Sequence, residues 1–299
     1  MKGGSAIRSI RAGTATMTRW IDETLYPAWG QRFSAGKVLF EDKTEHQHLV
    51  IFESASHGRV MMLDGAVQVT LADEFVYHEM MAHVPLFALA MPKRVLVIGG
   101  GDGGILREVL KHPSIEKAVL CEIDRTVIDM SLKYFPEISA GALDDRRTDV
   151  MIADGVKMVA HTSERFDAIL VDSTDPHGPG SVLFTESFYA NCRRCLVKGG
   201  VLVTQNGVPF MQPGELKQSV RYFRGLFDDA GCYLATIPTY VGGQMALGWA
   251  TDDPLLRDTT LQTLADRFAI ANITTRYYTP SVHLAAFALP AFVERMLAS

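Results

Sequence analysis

Cysteine is scarce in this chain. Four in 299 residues, Cys121, Cys192, Cys195 and Cys232, are few for the length, which fits a reducing compartment better than a disulfide framework. Cys192 and Cys195 form a C-x-x-C, but they fall inside an apparent helix, "ESFYANCRRCLV", with no second ligand pair, so they carry neither a redox nor a zinc assignment. Positive charge is also short. A formal net charge of −5 and the absence of a long basic run leave no footprint for a nucleic-acid partner. Long apolar runs are missing as well: none approaches the roughly 18 residues of a membrane span, and the N-terminus has no apolar signal core. A membrane partner is therefore not expected, and the location read from these absences is cytoplasmic.

Metal-binding spacing is incomplete too. "HEMMAH" looks like a zinc-protease motif, yet His78 and His83 are five apart rather than four, which turns them to different faces of a helix. "HQH" at 46–48 places two histidines on one face of an expected strand without a third ligand. No metal and no cofactor is expected.

What is present is a globular composition, 47% hydrophobic and 21% charged. Residues 1–16 are rich in small and polar residues and read as a flexible extension. Short apolar runs over 37–70 ("KVLFE", "HLVIFE", "RVMMLDG", "AVQVT"), separated by turn formers such as Asp64-Gly65, predict a small antiparallel β domain, with bounds at 17–72. Asp73 is then expected to cap a helix on which Val76, Met80, Val84 and Phe87 recur at helical spacing. From Arg94 onward strands alternate with helices, the pattern of a parallel sheet covered on both faces, so 73–299 reads as an α/β catalytic domain. Strands are expected at 94–98, 117–121, 148–152, 167–172 and 200–205, helices at 103–111, 124–134, 155–161, 185–197 and 214–230, and a terminal hairpin in "CYLATIPTY" and "GQMALGWAT".

The chemistry lies at the strand ends, where open parallel sheets bind ligands. "VLVIGGGDGGILREV" places Gly99, Gly101 and Gly104 at the G-x-G-x-x-G spacing of a dinucleotide loop. Asp102 inside that loop argues against pyrophosphate, because two like charges about 4 Å apart repel by roughly 4 kcal/mol at an effective dielectric of 20. A cationic group there, with Glu122 about 20 residues on to take ribose hydroxyls, points to a sulfonium nucleoside rather than a nicotinamide dinucleotide. Asp154, Asp172 and Asp175 complete a rim of five acids. One acid at a strand end is ordinarily a helix cap; five on one rim point to a site for cations. "DSTDPHGPG", with Gly178, Pro179 and Gly180, reads as a lid rooted at Asp172 and Asp175.

With these motifs in place, the chain from about Trp20 to its end resembles the polyamine aminopropyltransferase family, its bacterial spermidine synthases above all. The ordered set is "LDGAVQVTLADEFVYHEMMAHVPL", "IGGGDGGILREV", "CEID", "ADG", "DSTDPHGPG", "TQNG" and "IPTYVGGQ". The resemblance implies a Rossmann-like, class I methyltransferase-type α/β sheet behind a small N-terminal antiparallel β domain. It implies aminopropyl transfer from decarboxylated S-adenosylmethionine, a co-substrate rather than a cofactor, to a diamine such as putrescine, and a homodimer. By the same resemblance, Asp172 is the proton acceptor, Asp102 holds the donor's ammonium and Glu122 its ribose. Asp154 and Gly155 contact the adenine, Asp175 helps bind the amines, and Gln47, Tyr77, His78 and Tyr240 complete the groove. The rival readings are an S-adenosylmethionine-dependent N-methyltransferase of a small amine and a non-enzymatic polyamine-binding protein.

Overall fold

In the computed structural model the described residues are 19–173 and 182–298. The extension expected at 1–16, and residues 174–181 of the expected lid with Asp175, lie outside the described residues.

The chain first forms a five-stranded sheet of β1 (Arg19–Asp22), β2 (Arg32–Lys43), β3 (His48–Ser54), β4 (Gly58–Leu63) and β5 (Ala66–Thr70), each strand antiparallel to its neighbour in sequence. Asp64 and Gly65 both take positive φ, 48° and 81°, in the tight turn between β4 and β5. Both faces of β3 are apolar: Val50 and Phe52 pack with Phe33 and Val60, whereas Leu49 and Ile51 pack with Val127, Phe135 and Ile138 of the larger region. The sheet starts earlier than the apolar runs suggest, with β1 and the first turn of β2 added. It also corrects the histidine pair, because His46 and Gln47 occupy the bend between β2 and β3 and the strand begins only at His48.

Next comes α1 (Glu74–Ala88), in which every residue except Phe75 is buried. Asp73 does not cap it as expected. Its carboxylate turns instead to Thr70 Oγ1 (2.6 Å) and to the N–H and hydroxyl of Thr239 (2.9 and 2.6 Å).

The larger region alternates β6 (Arg94–Gly99), α2 (Gly104–Lys111), β7 (Lys117–Glu122), α3 (Arg125–Tyr134), α4 (Pro136–Ser139), β8 (Thr148–Ile152), α5 (Gly155–His161), β9 (Phe166–Asp172), α6 (Glu186–Cys195) and β10 (Leu196–Gln205). It then continues through α7 (Pro213–Leu226), β11 (Asp229–Ala235), β12 (Met245–Thr251), α8 (Leu261–Ala271), α9 (Pro280–Ala286) and α10 (Ala291–Ala298). The seven strands lie in the order β11-β12-β10-β9-β6-β7-β8, parallel except for the β11/β12 hairpin, whose β12 runs antiparallel to β10. This is a Rossmann-like α/β sheet. Its central strands alternate between two cores: Val95, Val97 and Leu170 face α1 and α2, while Leu96, Ile98 and Ile169 face the side of α6 and α7. The helix expected over 214–230 stops at Leu226, because Asp229 starts a strand paired with Thr251. The helix expected at 185–197 likewise yields at Leu196 to β10. All four cysteines are buried thiols. No single helix among the described residues is long and apolar enough to cross a membrane.

The chain winds from β6 outward through β7 and β8, then returns to place β9 on the other side of β6. A crevice opens at such a reversal, beyond the carboxyl ends of the strands.

Candidate active site

At that reversal β6 and β9 run side by side until Gly99 lies opposite Asp172. Gly99 has φ +79°, and a Cβ there would sit 1.9 Å from the Asp172 carbonyl oxygen, so only glycine lets the two strand ends approach this closely. Beyond them lies a cavity of about 360 Å³. Gln47, Tyr77, His78, Asp102, Glu122, Asp154, Gly155, Asp172 and Tyr240, every site residue expected from the sequence except Asp175, line this one cavity.

They come from several elements: Tyr77 and His78 from α1, Asp154 and Gly155 from the start of α5, and the others from separate strand ends and loops. Asp172 ends β9, and its Oδ1 accepts a 2.6 Å hydrogen bond from the Tyr77 hydroxyl on α1. Tyr240 stands edge-on to Tyr77 at 6.0 Å between ring centres and donates its hydroxyl proton to the Gln68 carbonyl. Asp102 follows β6, and its Oδ1 accepts the N–H of Gly104, the first residue of α2, at 2.8 Å. A helix N-terminus is a ready anion site, and here the chain's own carboxylate fills it in place of a bound phosphate. Glu122 closes β7 and accepts the Asp124 N–H at 2.9 Å. Asp154 caps α5 through the N–H groups of Val156 and Lys157, so it is both a cap and a wall residue.

Sequence reasoning missed two contributors. Gln205, at the end of β10, lines the cavity from within the "TQNG" motif, and its position on the strand-end rim was the available signal. Asp124 caps α3 and also accepts hydrogen bonds from Thr44 Oγ1 (2.9 Å) and Gln47 Nε2 (3.2 Å), which joins the loop after β2 to the start of α3 beside the cavity.

The carboxyl groups differ in basicity. Burial and the neighbouring Asp102 charge push Asp172 up to about 6, against the lowering pull of Tyr77 and His78. Burial would raise Asp102 too, but His78 and the Gly104 N–H hold it below the ordinary carboxylate range. Burial brings Glu122 to about 7 despite backbone N–H donors from Asp124 and Ile123. Burial and the Asp172 charge keep the Tyr77 phenol protonated, so it acts as a donor. The cavity thus combines an acid held below the ordinary carboxylate range, Asp102, with two, Asp172 and Glu122, whose proton affinity suits exchange near neutral pH.

Known proteins share much of this sequence and its fold. Residues 74–260 match the spermine/spermidine synthase domain, and residues 19–70 match the spermidine synthase tetramerisation domain. Polyamine aminopropyltransferase 1 of Pseudomonas aeruginosa is 56% identical over 271 residues, covering 91% of this chain and 95% of that protein. The polyamine aminopropyltransferase of Escherichia coli is 50% identical over 277 residues, covering 93% of this chain and 96% of its own. Among solved structures, a spermidine synthase in complex with the transition-state analogue AdoDATO superposes with a TM-score of 0.89 at 39% identity, covering 98% of both chains. The Thermotoga maritima spermidine synthase superposes at 0.87 and 39% identity, covering 94% of this chain and 95% of its own.

Proposed function

Since the chain belongs to the spermine/spermidine synthase family and is a polyamine aminopropyltransferase, we propose that it transfers the aminopropyl group of decarboxylated S-adenosylmethionine to putrescine, giving spermidine and 5′-methylthioadenosine. In this reading the donor's adenosine lies along Glu122, Asp154 and Gly155, with the ribose hydroxyls on Glu122, and its aminopropyl ammonium meets Asp102. Gln47 and Asp124 brace the nucleoside end. The acceptor lies between Tyr77, Tyr240 and Asp172, with Asp175 expected to assist. His78 stands in the wall behind Asp102.

The reaction is a displacement. The acceptor's amine lone pair forms a new C–N bond at the carbon beside the sulfonium, the C–S bond breaks, and its electron pair leaves with sulfur as a neutral thioether. The obstacle is the acceptor's proton. An alkylamine like that of lysine titrates near ~10.4, so reaching the free base at pH 7 costs roughly 4–5 kcal/mol. Asp172 binds the cation, orients it and accepts its proton as the C–N bond forms, with the Tyr77 hydroxyl fixing the carboxylate's direction. The observation that carries the reading is the meeting of Asp172, Tyr77 and Asp102 at one cavity wall.

The experiment is incubation with putrescine and either decarboxylated or intact S-adenosylmethionine, followed by mass spectrometry. Spermidine and methylthioadenosine from the decarboxylated donor alone support the reading. A methylated diamine from the intact donor, or binding without turnover, refutes it. We place the enzyme in the cytoplasm as a homo-oligomer. The homodimer is the sequence-based expectation, and the tetramerisation description of the model matching 19–70 sets the tetramer beside it.

A further inference from the structure

Behind Asp102 runs a line of alternating charges. The second carboxylate oxygen, Oδ2, lies 3.3 Å from His78 Nε2, and the opposite ring nitrogen, Nδ1, lies 2.6 Å from Glu74 Oε2. Glu74 in turn receives Arg107, with Nη2 at 2.9 Å from Oε2 and Nη1 at 3.4 Å from Oε1. Arg107 is anchored beyond by the Ile138 carbonyl at 2.7 Å and by Glu108 at 2.6 Å. The imidazole is 2% exposed and fits directly beneath the glycine loop, where a Cβ on Gly104 would lie 2.2 Å from the ring.

We propose that Arg107, Glu74 and His78 form a positioning chain that holds His78 as an imidazolium, keeps Asp102 ionised and aimed into the cavity, and so leaves Asp172 as the acid that accepts protons. The inference rests on the reading of Asp102 as the partner of the donor's ammonium.

With Glu74 and Asp102 both ionised, the geometry favours the doubly protonated ring. A neutral imidazole with its proton on Nδ1 would turn the Nε2 lone pair toward the Asp102 carboxylate; with the proton on Nε2 it would turn the Nδ1 lone pair toward Glu74. Either tautomer sets a lone pair against a buried anion, whereas the imidazolium donates to both. Burial alone would favour the neutral ring, but Asp102 and Glu74 raise His78 to about 10. The groups facing it are Glu74 on its own helix, Asp102 from the loop after β6, the edge of the Tyr77 ring and, from the end of β9, Asp172. With both nitrogens turned to carboxylates, the charge of His78 reaches the substrate through Asp102. One imidazolium thus lowers the anchoring acid while Asp102's charge raises the other, and two aspartates in one cavity are assigned separate work.

The test uses the full-length enzyme labelled with ¹⁵N-histidine, together with donor kinetics using decarboxylated S-adenosylmethionine. Both His78 nitrogens of the wild type should show protonated chemical shifts from about pH 6 to about pH 9, and the donor KM over that range should carry no pH dependence beyond the titration of Glu122 near 7. In Glu74→Gln the ring should titrate within the range and the donor KM should climb by about tenfold toward its alkaline end, with kcat at saturating donor changing by less than about threefold. Arg107→Lys, which keeps the cation, should restore most of the wild-type behaviour that Arg107→Met loses. A wild-type His78 bearing a single proton at neutral pH overturns the chain without recourse to any variant, and so does a Glu74→Gln donor KM that follows wild type at every pH. Asp102→Asn separates the two levels. If it leaves donor KM unchanged, the assignment of Asp102 to the donor tail fails and the recognition half of the proposal falls with it, while the histidine spectrum still decides the charge.

Discussion

His78 and His83 occupy the same helix, five residues apart, and both are buried beside a glutamate. His83 Nε2 lies 3.0 Å from Glu108 Oε2 and its Nδ1 lies 2.9 Å from His112, with Lys111 Nζ 2.7 Å from the same glutamate. Arg107 serves both clusters, meeting Glu74 on one side and Glu108 on the other. The difference is where each cluster ends. The His78 line ends on an acid in the cavity wall, whereas the His83 cluster ends on Lys111, one-third exposed, and is flanked by the rings of Phe87 and Tyr278. Burial, ion pairing and residue type are shared by a site and by a structural staple. Only access to the cavity separates them.

The sharpest way to break this distinction is Asp172→Asn at the cavity end. Turnover should fall by about 10² to 10⁴ while the unfolding midpoint stays near wild type, because the amide keeps the shape and loses the basicity. Turnover close to wild type at neutral pH would remove Asp172 as the base.

The mirror experiment on the other cluster is Glu108→Ala. It strips His83, Arg107 and Lys111 of a common anion and should cost about 3 kcal/mol in urea unfolding, with kcat of the folded enzyme nearly unchanged. A large loss of kcat with intact stability would mean that the two clusters are one functional network.

Asp102→Asn should bring the affinities for decarboxylated and intact S-adenosylmethionine together by about 1 to 3 kcal/mol in calorimetric titration, since the amide neither attracts the ammonium nor repels the carboxylate. Undiminished discrimination would reduce Asp102 to a residue that stabilises its loop through Gly104.

The mildest effect is on pH. Burial and Asp102 push Asp172 up to about 6, and its ionised form is the competent one in the proposed mechanism, so the rate at saturating substrates should fall as pH drops through that value, by about tenfold per unit below it. An acid limb near the ordinary carboxylate value, measured in a pH-rate profile, would contradict the influence of burial and of Asp102.

Much of this architecture is legible in the sequence for a physical reason. β6, β7, β9 and β10 are covered on both faces, so each contains a short apolar run; glycine or acid at the ends of β6, β7 and β9 marks the ligand edge, while β10 ends on Gln205, which carries no such signal. Elements beyond that logic are harder to read. β1 is only four residues long and mostly exposed, with little pattern to detect. Residues 227–230 extend a helical period, but pairing of Asp229 with Thr251 claims them for the sheet. Helices α8 to α10 bury few residues each, so their apolar stripes are thin. Within the site, the acids stand where the strand ends place them. The His78 bridge between Glu74 and Asp102 depends on how α1 crosses the loop after β6, a tertiary fact without a local signal.

Asp73 carries a consequence for the order of assembly. The small sheet pairs only sequence neighbours and has low contact order, while the large one must insert β9 between β6 and β10 and wait for the hairpin beyond. Asp73, at the seam, finds Thr239 across 166 positions of chain, and Tyr240 follows immediately. Asp73 Oδ1 finds Thr70 locally, but Oδ2 has no partner until Thr239 arrives, so the aromatic wall of Tyr240 beside Tyr77 is expected to be fastened late in folding. Thr239→Val should accordingly speed unfolding while leaving the folding rate nearly unchanged, a φ-value near zero; a φ-value near one would place the seam in the nucleus instead. With a φ-value near zero the cavity would close late, and a partly folded chain would lack the wall that Tyr240 supplies to it.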